Sequence, residues 1–392
     1  MLEPDNFDSS KIDDFNDLLS NGKEIAVTHS TFLNATPETL EYISQGDYTL
    51  IIDEVLEVVC EFNKTTIAEQ HSEQKMKKGD IQMLLDGPNP YIEVDEKTGL
   101  VKWVRNEYEG KFTEVQRLAK LNRLYLVRGK MLVCLFPPEI FRLFKDVYVL
   151  TYLFEGSVLE PYFEAFNIEW ELASITNEDG VYSLCEYSRE TDMAYRSKCR
   201  GLINHYWPDK MRPEFKATAL SKKWYIKSHA NGEIVDAVKN KISNFVRHTA
   251  KAASKDVMWT CPKDYKKDFS GKGYTNTFRV TNKDLKPLSK EKQDELLKRA
   301  SCFVPCNAKA TNIYRDRSVL IYCCNMYPNG MMEEFWEDCG APGVRLHKDM
   351  FGLSCLIQWV CRSCIRDDKP IYIYILSHRM ATLFDKWLKC EI

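Results

Sequence analysis

Two adjacent carboxylates close an apolar run. Tyr48-Thr-Leu-Ile-Ile-Asp53-Glu54-Val-Leu reads as a buried strand that ends on Asp53 and Glu54. In open α/β folds ligands bind outside the carboxyl ends of such strands. A pair of this kind suits phosphoryl transfer, with Asp53 holding a magnesium ion and Glu54 polarising the water that attacks a γ-phosphate. The same text also describes a strand that simply ends in an exposed acidic turn. A second constellation is Gln358, Arg362 and Arg366, at i, i+4 and i+8, a spacing that puts all three on one helix face. Trp359, Val360 and Ile365 would pack that helix down. Two guanidiniums on one face can clamp phosphate oxygens, although a surface helix held in salt bridges shows the same pattern.

Two further groupings carry chemistry less sharply. Residues 215–275 hold thirteen Lys/Arg against five Asp/Glu, whereas residues 1–60 hold two against thirteen, so the windows net +8 and −11 inside a chain of net −3. Within the basic block, Lys222, Lys223 and Lys227 alternate with Trp224, Tyr225, Phe245, Trp259 and Tyr265, and Tyr274 follows. Lysines on phosphates and aromatics on bases make a single-strand track, while the same aromatics could equally be core. Cys302-x-x-x-Cys306 and Cys361-x-x-Cys364 have zinc-like spacing. The blander reading, buried small hydrophobes, is preferred for them.

These residues need elements to hold them. A chain of 392 residues with 44% apolar content folds as globular, and two domains are expected, divided near residue 160. Short helices at residues 11–19 and 37–44, the latter capped by Thr36, alternate with strands at 24–28, 48–52, 131–135 and 147–153. A hairpin is expected over 91–104, and a second α/β alternation over 161–392 with strands at 170–175, 257–260, 319–323 and 371–375. Residues 283–299 form a charged insertion, helical beyond Pro287. The fold class is therefore α/β with mostly parallel sheets. No apolar run reaches the roughly 18 residues needed to span a bilayer, and MLEPDNFDSS is no signal peptide. A cytoplasmic protein with reduced thiols and no membrane partner is expected.

Seven ordered segments join these features. They are Val27-Thr28-His29-Ser30-Thr31-Phe32, the strand to Asp53-Glu54, Val149 to Phe154 (VLTYLF), Met258-Trp259-Thr260, Phe303 to Asn312 (FVPCNAKATN), Gln358 to Arg366, and Ile373 to Met380 (IYILSHRM). In that order the chain resembles a group of DExx-box superfamily 2 helicases encoded by bacteria and their phages. The resemblance implies two RecA-like lobes, at 1–160 and 161–392, and an ATP-dependent helicase or translocase in a bacterial cell or phage-infected host. It makes Thr28 and His29 motif Ib, Asp53-Glu54 motif II, Thr151 the motif III residue coupling hydrolysis to nucleic acid, and Asn307, Thr311 and Asn312 motif V contacts to nucleic acid. Gln358, Arg362 and Arg366 become motif VI. ATP and magnesium would sit between the lobes, and the partner is single- or double-stranded DNA or RNA.

Two departures qualify the resemblance. Cys361 replaces the usual motif VI glycine and the second arginine comes one residue late. No G-x-x-x-x-G-K-[ST] occurs anywhere, which removes the backbone amides and lysine that cradle β- and γ-phosphates. A first lobe incomplete at its N-terminus, impaired hydrolysis, and a separate polypeptide supplying the phosphate loop are the corresponding expectations. The alternative is a non-hydrolysing remnant that binds nucleic acid or a partner.

Overall fold

The computed structural model describes residues 1–5, 10–64, 72–207, 219–308, 312–339, 341 and 343–392. The chain is α/β and divides into two units, Met1–Trp170 with Asn329–His347, and Glu171–Pro328 with Lys348–Ile392. The return of 329–347 to the first unit has no counterpart in a linear reading.

In the first unit, β1 (Thr49–Asp53) pairs in parallel with β7 (Asp146–Leu150), Asp53 opposite Leu150. The strand expected to be buried is buried on one face only: Ile52 turns inward to a core shared with Phe32, Ile43, Phe136, Tyr162 and Trp336, while Ile51 is 64% exposed on the other face. Helices Lys11–Ser20 and Pro37–Gln45 stand where their caps put them, with Ser10 accepting from the Asp13 N–H and Thr36 from the Thr39 N–H. The expected strand at 24–28 is reduced to one bridge, Leu2 with Ile25.

The sequence expectation places 131–135 in the parallel sheet, and the structure corrects it. β6 (Met131–Leu135) lies antiparallel between β2 (Val59–Glu61) and β5 (Leu124–Val127). Only residues 128–130 connect β5 to β6, with left-handed backbone at Arg128 and Gly129. A link that short can join antiparallel neighbours, whereas a parallel pair needs a crossover of a dozen residues or more. A satellite core of Phe62, Leu84, Ile92, Val101 and Val115 lies under the expected hairpin, β3 (Ile92–Val94) with β4 (Val101–Trp103).

The second unit carries a fully parallel sheet in the order β10 (Ile203–Tyr206), β13 (Ile371–Ile375), β12 (Val319–Tyr322), β11 (Val257–Thr260). Residues 302–304 extend it beyond β11, where Trp259 donates to Cys302 O and Val304 to Trp259 O, both at 2.9 Å. One face packs Trp259, Ile321 and Tyr374 against Val235, Val238 and Ile242 of helix Gly232–Asn244. The other meets helix Lys348–Val360, with Tyr322 edge-on to Trp359, and helix His378–Leu388, with Phe384 edge-on to His205. Strands buried on both faces explain the continuous apolar text of 257–260 and 319–323. The strand expected at 170–175 begins later, as β8 (Ala173–Glu178) of an exposed hairpin with β9 (Val181–Glu186). The charged insertion forms helix Lys290–Ala300, beyond Pro287 as expected.

Candidate functional site

The acidic pair stands at a strand end, as its text implies. Asp53 is the last residue of β1 and is exposed. The chain then turns sharply, with Glu54 at φ 67°, a left-handed conformation that costs a non-glycine residue roughly 1–2 kcal/mol. The Glu54 N–H donates to Leu150 O at 3.2 Å, which ties the turn to the end of β7. Thr151 is the next residue of that neighbouring strand, so Asp53, Glu54 and Thr151 leave one sheet edge side by side. Leu153 in the same exit is also left-handed, at φ 59°. Two non-glycine residues held in this region within one edge make it a strained, over-determined turn of the kind found at functional positions.

Asp53, expected as the magnesium ligand, offers one exposed carboxylate at this edge. Among the described residues no three His, Cys, Asp or Glu converge to hold a metal unaided. Thr28 has a structural duty: it caps helix His29–Leu33, accepting from the Thr31 N–H at 3.2 Å, and His29 is that helix's first residue.

In the second unit, two of the predicted segments meet. Arg366 Nη1 donates to Asn312 Oδ1 at 2.8 Å across 54 residues of chain. Beside this contact Arg315 pairs with Asp367 and holds its carboxyl below the usual carboxylate range. Asn307 is exposed on the turn after Pro305, and Thr311 lies outside the described residues. The one-face helix expected for Gln358, Arg362 and Arg366 is not formed. The helix stops at Val360, where Ser363 ends it: its hydroxyl donates to Val360 O at 2.6 Å, and its oxygen accepts from the Ile365 N–H to start a short 3-10 turn, Cys364–Asp367. Gln358 thus sits on the last α-helical turn, with Nε2 3.5 Å from Ser354 Oγ. Arg362 and Arg366 project from the turn beyond it, Arg362 half-buried and Arg366 exposed.

Lys222, Lys223 and Lys227 are exposed on helix Lys222–Ser228, whose N-cap is Ser221. Of the six aromatics named with them, Trp224 and Tyr265 are partly exposed and the other four are not. Tyr225, Phe245, Trp259 and Tyr274 are at most 1% exposed, and the Tyr225 hydroxyl donates to Cys323 O at 2.6 Å, so the stacking track gives way to a cationic surface over an aromatic core. The four zinc-spaced thiols also part company. Cys302 bonds to Ser254 O, Cys364 to Pro370 O and Cys361 to the Tyr195 hydroxyl, while Cys306 meets Cys324.

One feature of the first unit has no sequence signal. A cleft lined by Ser30, Asn34, Cys60, Arg117, Arg123 and Cys134 contains an arginine, Arg123, that is only 5% exposed. Its guanidinium donates to Leu33 O at 3.3 Å and Ala35 O at 2.8 Å. Burial, and then the charge of Arg117, push it down to about 10. Periodicity cannot find it, because Arg123 follows a left-handed Asn122 at the break between a helix and β5.

The geometry can be set beside known proteins. Residues 197–388 match the family model described as the YonV C-terminal Rossmann-like domain, and residues 72–134 match the YonV middle domain. The chain is 32% identical over 386 residues to the SPbeta prophage-derived uncharacterized protein YonV of Bacillus subtilis (strain 168), an alignment that covers 97% of this chain and 83% of that relative. No solved structure matches the chain. The first match spans the parallel sheet β10–β13, and the second ends inside the antiparallel sheet, at Cys134 of β6.

Proposed function

The chain belongs to the YonV family, and from that premise we propose that it works in nucleic-acid-dependent nucleotide hydrolysis of the superfamily 2 helicase or translocase type. The observation that carries this reading is the sheet edge at which Asp53, Glu54 and Thr151 emerge together, with Glu54 held in a strained backbone. Asp53 would hold magnesium, whose charge would offset that of a transferring phosphoryl group, and Glu54 would orient the attacking water. In the second unit by itself, Arg362 and Arg366 are cations of the kind that neutralise phosphate oxygens, and the Arg366 contact to Asn312 joins them to the segment assigned to nucleic acid. Thr151, next in chain to a strand paired with β1, passes the state of the acidic turn onward.

This chain's sequence contains no phosphate-loop motif, so the test has two arms. Phosphate release stimulated by single-stranded DNA or RNA is measured for the chain alone and for the chain supplied with a polypeptide carrying a strand, phosphate loop and helix. Little release is expected from the first arm. Turnover of about 1 s⁻¹ or more, lost in Glu54→Gln, is expected from the second. Release indifferent to Glu54→Gln, or none in either arm, overturns the reading. The missing motif specifically favours a second reading, a nucleic-acid-binding protein without hydrolysis, which salt-dependent binding in the absence of any release supports.

A further inference from the structure

Thiols crowd the carboxyl edge of the second unit's parallel sheet. Cys261 follows β11, Cys323 and Cys324 follow β12, and Cys306 sits on the turn after Pro305, closed by the Ala308 N–H to Pro305 O at 3.0 Å. Cys355 approaches from helix Lys348–Val360. Cys306 and Cys324 are in sulfur–sulfur hydrogen-bond contact, and Cys355 and the Tyr322 ring lie within electrostatic reach of both or of Cys306. The two sulfurs differ in access: Cys306 is partly exposed, Cys324 is 1% exposed. Next to them on the same strand ends, Thr260 Oγ1 and the Tyr322 hydroxyl are buried with no hydrogen-bond partner. Thr260 and Tyr322 are register partners, so their side chains share the sheet face that carries Cys324. The edge therefore carries unsatisfied polar atoms beneath a thiol that solvent reaches, and a thiol with almost no access lies against it.

We propose that Cys306 and Cys324 are a reversible dithiol–disulfide pair, with Cys306 the attacking sulfur and Cys324 the resolving one, oxidised by low-molecular-weight disulfides. The electrostatics match the division of labour. The Cys324 thiol hydrogen bond, helped by the backbone N–H groups of Cys306 and Asn307, brings Cys306 down to about 7 against the burial that opposes it. Cys324 is pushed up, first by the same contact and then by burial. The facing groups are the thiols Cys261, Cys323 and Cys355 and the Tyr225 and Tyr322 phenols; Lys266 and Asp268 act on Cys261. In the first step the Cys306 thiolate attacks one sulfur of the small disulfide, its S–S bond breaks, and one thiolate leaves. Cys324 then loses its proton and attacks the Cys306 sulfur, expelling the second small thiolate. The two protein thiols are oxidised to one cystine, and the small disulfide is reduced to two thiols. The product would tie the turn that holds Cys306 and the adjacent Asn307 to the end of β12, so oxidation state and the conformation of that turn are coupled.

The test uses the full chain, fully reduced and then exposed to oxidised glutathione, followed by non-reducing peptide mapping and by iodoacetamide alkylation across pH. A Cys306–Cys324 linkage is expected. Cys306 should alkylate with a midpoint near 7, about threefold faster at pH 7 than an ordinary thiol, since roughly 16-fold more thiolate is offset by roughly fivefold lower nucleophilicity. In Cys324→Ala the glutathione adduct should persist on Cys306 and the midpoint rise toward the ordinary ~8.5. In Cys306→Ser, Cys324 should take up no glutathione. A linkage that survives either substitution, adducts on other thiols with none at Cys306, or a Cys306 midpoint already in the ordinary range overturns the proposal. If Cys324→Ala does not fold, the parent's linkage map and alkylation profile together with Cys306→Ser still decide it.

Discussion

Glu160 offers a quantitative check on the first unit. It lies in the first turn of helix Leu159–Ala165, half-buried, and burial, then the charges of Glu155 and Glu164, push its carboxyl up to about 7. In the unfolded chain a glutamate titrates near ~4.3. A carboxyl whose folded value is the higher one binds its proton more tightly in the native state. Its unfavourable contribution is therefore absent below about 4.3, grows as pH rises, and is complete above about 7. The difference of about 2.7 between the two values corresponds to about 3.7 kcal/mol unscreened, and because the group is partly exposed and solvent screens both neighbours, about 1 kcal/mol is expected. The helix N-terminus opposes the effect by a few tenths of a kcal/mol in favour of the charge. Glu160→Gln should match the parent at pH 4.5 and melt about 2–4 °C higher at pH 8, as expected for about 1 kcal/mol in a unit of this size. Calorimetry of both proteins at both pH values gives the double difference, in which every other titrating group cancels. An equal offset at the two pH values, or a variant less stable at pH 8, refutes the assignment.

Two further outcomes bear on the proposed activity. Arg366→Ala and Asn312→Ala remove an exposed contact worth at most about 1 kcal/mol, so melting should move little, whereas phosphate release in the supplemented assay should fall at least 100-fold for Arg366→Ala; parallel losses of stability and release would make the pair merely structural. Replacing Lys222, Lys223 and Lys227 together by alanine should lower the slope of log affinity against log salt for single-stranded nucleic acid by about 2, at roughly 0.7 per phosphate contact. An unchanged slope removes that helix from the interface.

What was legible in the sequence is what short-range physics dictates. The strand ending on Asp53 could be read because an apolar run followed by two charges has few other homes, and the Thr36 cap because a hydroxyl before Pro37 satisfies a helix start. The parallel core of the second unit was legible for the same reason: Val319 to Tyr322 and Ile371 to Ile375 are apolar on both faces. Direction of pairing was not, since residues 131–135 carry the same apolar signal in either orientation. There the deciding residues were Arg128 and Gly129 in the turn before it.

The Gln358–Arg366 segment shows a subtler failure, and it bears on function. Counting i, i+4 and i+8 assumes the helix continues, yet Ser363 offers its hydroxyl to Val360 O and its oxygen to the Ile365 N–H, a local bargain that competes with the helical ladder. Spacing alone therefore put the three residues on one helix face that the structure does not form. The consequence is physical. A guanidinium on a rigid helix face points where the helix axis dictates, whereas Arg362 lies in the link after the helix and Arg366 in a 3-10 turn whose position is set by the Cys364 N–H to Arg317 O bond at 3.0 Å and by the contact to Asn312. Arg317 is itself 3% exposed and anchored to the Lys255 and Arg299 carbonyls, so the turn hangs on the loops that lead into β11 and β12 rather than on its own helix. Asn312 thereby ties Arg366, within the second unit, to these loops and not to the helix that precedes it.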